Sequence, residues 1–166
     1  MKHVTLVPIN AEMLSLLEAG AAAFEAQFGV RLGDCLDFVM EPVRQTITLL
    51  GRAPRPDPWG CYLAADRDAN QIIGTCGFKA SPDAQRSVEI AYYTFPPFES
   101  QGYATAMALT MIDLARSSAD VRLVLAHTLP EENASGSVLK KCGFRQAGEV
   151  IDPEDGLVWR WESPVI

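Results

Sequence analysis

The stretch Glu89–Ala108, EIAYYTFPPFESQGYATAMA, constrains this chain more than any other. Its first residues, rich in Tyr, Ile and Thr, read as a strand, and Pro96-Pro97 stops it because neither ring can donate to a ladder. A short polar loop leads to Gly102 and then to an Ala-rich helical segment, Tyr103 to about Ser117. A helix entered this way leaves its first N–H groups unpaired and its positive end exposed, which makes an anion site. Gly102 lets a ligand's phosphates approach the main chain, and Ala104 and Ala106 are too small to block them. A plain strand-loop-helix connection accounts for the same residues, because glycine before a helix is common.

The rest of the chain sets this unit in a mixed order. His3–Ile9 reads as a strand, and Asn10 suits the N-cap of a helix whose apolar face carries Met13, Leu16, Leu17 and Phe24. Gly20 and Gly29 weaken and end that segment. A second helical stretch, about Leu32 to Leu50, carries Leu36, Val39, Val43 and Ile47 at steps of three and four, and Pro42 predicts a break into two short helices. Arg52–Pro58 is Pro-rich but too short to act as a linker between separate domains. Trp59–Ala65, Gln71–Phe78 and Val88–Phe95, separated by polar turns, predict a three-stranded antiparallel meander. Beyond the Ala-rich helix come a strand, Val121–His127, a short helix, Ala134–Cys142, with Gly143 past its end, and a hairpin of Gln146–Val150 with Leu157–Glu162. The order is β-α-α-β-β-β-α-β-α-β-β, an α+β class in one domain over residues 1–166.

Composition narrows the function. Lys plus Arg is 14 against 21 for Asp plus Glu, a formal charge of −7. That balance argues against nucleic acid or an anionic membrane as a general partner, since both need a cationic face. Cys35, Cys61, Cys76 and Cys142 stand singly, with no C-x-x-C pair and only His3 and His127 to complete a metal site, so no metal is expected. The first residues lack a continuous apolar core, and no run is long enough to span a bilayer. The expectation is a soluble protein of a reducing compartment, the cytoplasm.

The central stretch resembles the cofactor motif of the GNAT superfamily of acetyl-CoA-dependent N-acetyltransferases, Arg/Gln-x-x-Gly-x-Gly/Ala. Here it falls as Glu99-Ser100-Gln101-Gly102-Tyr103-Ala104, continued by Thr105-Ala106. A second segment, Asn133-Ala-Ser-Gly-Ser137 through Cys142-Gly143-Phe144, is similar to the family's Asn-x-x-x-Ser…Gly-Phe signature. The similarity covers nearly the whole chain and is best to the branch holding ribosomal-protein N-terminal acetyltransferases. It implies a GNAT-like, mostly antiparallel central sheet of about seven strands flanked by helices, with acetyl-CoA as co-substrate. The pantetheine arm would lie in a gap beside the strand carrying Tyr92, Tyr93 and Thr94, pairing like an added strand. The pyrophosphate would meet main-chain N–H groups from Ser100 and Gln101 through Gly102, Tyr103, Ala104 and Thr105. Asn133 would hold pantetheine amides, although a helix cap explains it equally well. The chain departs from the motif at Glu99, a charge that costs about 1 kcal/mol in screened solvent.

Acyl transfer from a thioester needs an amine that loses its proton, a donor for the carbonyl oxygen and a proton for the thiolate. The resemblance implies direct attack in a ternary complex, so no cysteine is read as a nucleophile, and Cys142 is a core thiol. Glu89 is the candidate base; strand alternation puts it on one face with Ala91, Tyr93 and Phe95. A solvated strand residue pairing with Lys79 or Arg86 is the other reading. The oxyanion donor would be a main-chain N–H near Thr94. Leu139 stands where many relatives carry a tyrosine acid, leaving Ser137 as the candidate hydroxyl, or as a capping serine. His127 either touches the acceptor or is a hydrogen-bonded strand histidine. Lys140, Lys141 and Arg145 either meet CoA phosphates or form a solvated face. The expected function is N-acetylation of a primary amine such as a peptide N-terminus, a polyamine or an amino sugar, and the acidic surface favours a cationic one. A non-catalytic acyl-CoA-binding or sensory domain, and a partner-binding domain without cofactor, remain open. So does a homodimer.

Overall fold

The computed structural model describes residues 1–165. Seven strands form a single sheet in the order β1-β2-β3-β4-β5-β7-β6. They are β1 (Val4–Pro8), β2 (Cys61–Asp66), β3 (Gln71–Phe78), β4 (Ser87–Thr94), β5 (Leu123–Thr128), β6 (Arg145–Asp152) and β7 (Gly156–Pro164). Neighbours are antiparallel throughout except β4 and β5, which are parallel and joined by helix α4 (Tyr103–Arg116). The class is the mixed, mostly antiparallel α+β expected, including the β2–β3–β4 meander.

Helices α1 (Ala11–Ala19), α2 (Ala21–Phe28) and α3 (Leu36–Arg52) precede β2, and α5 (Ala134–Lys141) follows β5. Asn10 caps α1, its side chain accepting from the Met13 N–H at 3.1 Å. The expected helix break moves, giving three helices here rather than two. The chain splits at Gly20, whose φ of 118° leaves the helical region, while α3 runs unbroken through Pro42. One proline removes a single ladder bond and costs about 3 kcal/mol. The buried Val39 and Val43, on one apolar stripe with the half-buried Ile47, hold the helix to the core across it, and two such side chains offset that cost.

Each face of the sheet has its own core. On one, α4 and α5 pack over Val88, Ile90, Met107, Met111, Leu139 and Trp161. On the other, α1–α3 cover Leu63, Ile72 and Phe95 with Met13, Phe24 and Val39. Strands β2 and β3 alternate between the two cores, whereas β4 gives Val88 and Ile90 to the first and leaves Ala91 and Tyr93 exposed on its other side. No helix among the described residues is long and apolar enough to cross a membrane.

Candidate functional site

Strands β4 and β5 pair only at Ser87, Val88 and Glu89, against Leu123, Val124 and Leu125. Beyond that point they diverge. The Glu89 carbonyl accepts from Lys79 N–H, and the Phe95 N–H donates to Ile73 carbonyl, so the odd-numbered residues of β4 bond toward β3. By alternation the N–H and C=O groups of Ile90, Tyr92 and Thr94 face the gap, where β5 no longer meets them. Those are unused strand-edge groups in a slot open to both faces of the sheet.

On the α4/α5 face the slot opens into a cleft of about 520 Å³. Tyr92, Tyr93 and Thr94 form one wall, and Ser100, Gly102, Tyr103, Ala104 and Thr105 the floor. Gly102 takes φ 92° at the start of α4, and no side chain caps that end. The first bond there runs from Ala106 N–H to Gly102 carbonyl, which leaves the Tyr103, Ala104 and Thr105 N–H groups facing out. Ser100 has φ 60°, turning the loop so that it presents its main chain. Thr94 Oγ1 is buried at the wall without a hydrogen-bond partner among the described residues. Lys141 completes the far side as a cation.

Two expected residues are not among those lining the cleft. Gln101 is exposed and its side chain donates to the Pro97 carbonyl at 3.3 Å. Asn133 caps α5, its Oδ1 accepting from Gly136 N–H at 2.9 Å, and the cleft wall beside it is Ala134, Ser135, Ser137 and Val138. Glu99 lines the cleft but is exposed, with water to screen it. Of the expected cationic cluster only Lys141 faces the cleft, because Lys140 reaches Glu132 at 3.0 Å and Arg145 opens β6.

The phenol of Tyr103 points away from the cleft. It donates to Asp66 Oδ2, which Lys2 Nζ also meets at 3.3 Å, while the Asp68 and Ala69 N–H groups bond Oδ1 at 2.8 and 2.9 Å. The Tyr103 bond first, then the Ala69 and Asp68 N–H groups and Lys2, hold the Asp66 carboxyl down at about 2. Tyr103 therefore bolts the start of α4 to the β2–β3 turn.

On the α1–α3 face a second cavity, about 460 Å³, lies against the other side of β4. Ile9, Pro42, Leu49 and Phe78 make it largely apolar, with Ala91 and Tyr93 as its β4 wall and Arg55, Lys79 and Glu154 as its charged groups. Between the two cavities, at the closed end of the slot, sits a third of about 130 Å³. It holds Glu89, His127, Lys79 and Ser135. Tyr92 lines all three, and burial pushes its phenol well up, so it stays protonated.

Glu89 is therefore not set among apolar neighbours. Its Oε1 lies 2.8 Å from Lys79 Nζ and 2.8 Å from His127 Nδ1. Burial works against charge on Lys79, but the bond to Glu89, helped by Asp152 and Asp155, carries its pKa above the ordinary value. Ser135 borders both the cleft and the small cavity, whereas Ser137 borders only the cleft. From the sequence Ser137 alone is the candidate hydroxyl, and the rotation of α5 adds Ser135. All four cysteines are free, and burial raises the thiols of Cys76 and Cys142. No group of three or more His, Cys, Asp or Glu residues arranged to hold a metal occurs among the described residues.

Residues 37–145 match the family model described as acetyltransferase (GNAT) domain. The uncharacterized N-acetyltransferase YoaA of Bacillus subtilis (strain 168) is 29% identical over 104 residues, covering 63% of this chain and 57% of that protein. The chain spans about half the length of the curated relatives it matches. Among solved structures, the ribosomal L7/L12 alpha-N-protein acetyltransferase RimL in complex with coenzyme A superposes with a TM-score of 0.67 at 16% identity, over 98% of this chain and 94% of that one. Spermidine N-acetyltransferase from Vibrio cholerae, in complex with CoA and spermine, superposes with a TM-score of 0.65 at 15% identity, over 98% and 96%. At that identity these likenesses speak for the fold.

Proposed function

This chain belongs to the acetyltransferase (GNAT) domain family, and from that premise we propose that it moves an acetyl group from acetyl-CoA to a primary amine. The carrying observation is the slot after Glu89, which joins a main-chain-lined cleft on one face to an apolar cavity on the other. A coenzyme fits the first. The free N–H groups of Tyr103, Ala104 and Thr105 suit a diphosphate, the open edge at Ile90, Tyr92 and Thr94 suits an amide-bearing arm, and the buried Thr94 hydroxyl, without a partner among the described residues, suits a polar group of that arm. When bound, the coenzyme supplies an already activated acyl thioester, so no enzyme nucleophile is required.

The chain's own groups do the remaining work. The Thr94 N–H faces the slot and can donate to the carbonyl oxygen as charge grows there. The amine approaches from the apolar cavity and gives up its proton to the Glu89 cluster at the slot's closed end. Ser137 or Ser135 Oγ returns a proton to the sulfur. The free, buried thiols accord with a reducing compartment such as the cytoplasm.

The test is thiol release from acetyl-CoA in the presence of peptide N-termini, polyamines and amino sugars. Amine-dependent release is expected. Coenzyme binding without release would make the chain a binding or sensory domain, and no stabilisation by the coenzyme at a hundred times its expected Kd, worth about 2.7 kcal/mol, would remove the reading altogether.

A further inference from the structure

The pair at the slot's closed end has an order that the sequence does not reveal. A carboxylate only accepts, so the 2.8 Å contact between His127 Nδ1 and Glu89 Oε1 places the imidazole proton on Nδ1. In the neutral ring the lone pair is then on Nε2. The strand register adds the second observation. Glu89 is the last residue of β4 still paired with β5, opposite Leu125. His127 lies two positions further along β5, where the strands have diverged, and its backbone is fixed from the other side by pairing with Arg160 of β7. Glu89 thus stands behind His127 as seen from the open slot. Its Oε1 already serves two donors, Lys79 Nζ and His127 Nδ1.

We propose that His127 Nε2 is the base that takes the acceptor's proton, and that Glu89 is a positioning residue holding the ring, its tautomer and, with Lys79, its place at the mouth of the slot. This rests on the acetyl-transfer reading above. An ammonium acceptor gives one proton to Nε2, forming imidazolium. The freed nitrogen pair makes the C–N bond while the C–S bond breaks and its pair leaves on sulfur. The acetylated nitrogen then sheds a second proton; of the two protons released, one ends on sulfur and one in solvent, which restores neutral His127. The arrangement is that of a base oriented by a carboxylate, here without a nucleophile of the enzyme's own.

The experiment is His127→Ala, assayed for thiol release with the best amine of the panel and supplemented with imidazole. The truncated side chain adds its ring's volume to the cavity of about 130 Å³ already there, enough to admit the free base. Loss of kcat by about 10²- to 10⁴-fold is expected, with coenzyme affinity by calorimetry kept and with at least a tenfold recovery in imidazole. Glu89→Gln should also lower kcat but gain nothing from imidazole, because its ring is present and misplaced. A folded His127→Ala protein that binds coenzyme yet keeps more than about a tenth of kcat, or that imidazole does not revive, overturns the assignment and returns the proton to Glu89. Failure of the underlying reading looks different. There the wild-type chain releases no thiol with any amine, and this assignment falls with it.

Discussion

The two cavities flanking β4 are built from different materials. The cleft on the α4/α5 face is made of main chain: the open edge of β4, the uncapped first turn of α4 and the turn at Ser100 and Gly102. The cavity on the α1–α3 face is made of side chains drawn from β1, α3, the Arg55 loop, β2, β3 and the β6–β7 turn. Main-chain recognition depends on local conformation, which a handful of adjacent residues encode. Side-chain recognition depends on which distant residues meet. The contrast explains why the proposed coenzyme site can be argued from one stretch of sequence while the proposed acceptor site cannot.

Gly74 is where the comparison breaks, because both cavities need the strand it touches. A Cβ there would lie 2.3 Å from the Tyr93 carbonyl oxygen and 3.2 Å from Thr94 Cα. Gly74→Ala must push β3 from β4, and a loss of about 3 kcal/mol or more is expected in denaturant unfolding, with coenzyme and acceptor affinity falling together. Retention of either affinity at wild-type level would show that the strand is not the common wall.

A pair of variants sharpens the contrast next. At Gly102 the φ of 92° is strained for any L side chain, so Gly102→Val should cost about 1–3 kcal/mol in coenzyme binding, or roughly 10- to 100-fold in Kd, with acceptor KM little moved. Ala91→Phe should do the reverse, raising acceptor KM through the wall of the apolar cavity while calorimetry with coenzyme is unchanged. Crossed effects in both variants would mean one site rather than two.

The same contrast separates what the residues foretold from what they did not. The meander, the β4–α4–β5 crossover and the loop that enters α4 at Gly102 were legible because Pro96, Pro97, Gly102 and the alternating runs act on their own neighbourhood. Gly20 was marked as a weak point, but the continuity of α3 through Pro42 was not legible, since it rests on the hold of Val39 and Val43 on the core. Asn133 had two local uses, and the Oδ1 bond to Gly136 settles which one that oxygen serves. Of the partners of Glu89, Lys79 just past β3 was one the sequence itself offered, whereas His127 on β5, 38 residues away, is announced by no local pattern. The resemblance singles out Ser137 alone, and it is the rotation of α5, not the sequence, that sets Ser135 against the small cavity as well as the cleft.

Tyr103 ties the main-chain cleft to the rest of the fold through Asp66, and acid tests that bolt. A carboxyl held near 2 in the folded chain against an ordinary 3.8 contributes stability that is complete above the unfolded value and drains as pH falls through the folded one. The window is therefore about pH 4 to 2. Tyr103→Phe removes the largest cause of the depression, so acid unfolding followed by tryptophan fluorescence should begin at higher pH, while stability at pH 7 drops by about 1 kcal/mol. An unmoved acid midpoint would assign the low value to the turn N–H groups alone.

The smallest effect is the most diagnostic, because its sign differs between two states of one protein. Thr94 Oγ1 is buried with no hydrogen-bond partner among the described residues. Burying an unsatisfied hydroxyl costs about 1–3 kcal/mol, so Thr94→Val, which keeps the shape and removes the orphan, should hold or raise the melting temperature of the free protein. If the hydroxyl exists for the coenzyme, the same change should weaken the complex by a few-fold, about 0.5–1.5 kcal/mol for one hydrogen bond. A side chain serving only the fold would move both measurements in one direction. Stabilisation without loss of coenzyme affinity would detach Thr94 from the cleft's purpose and leave recognition there to the main chain alone.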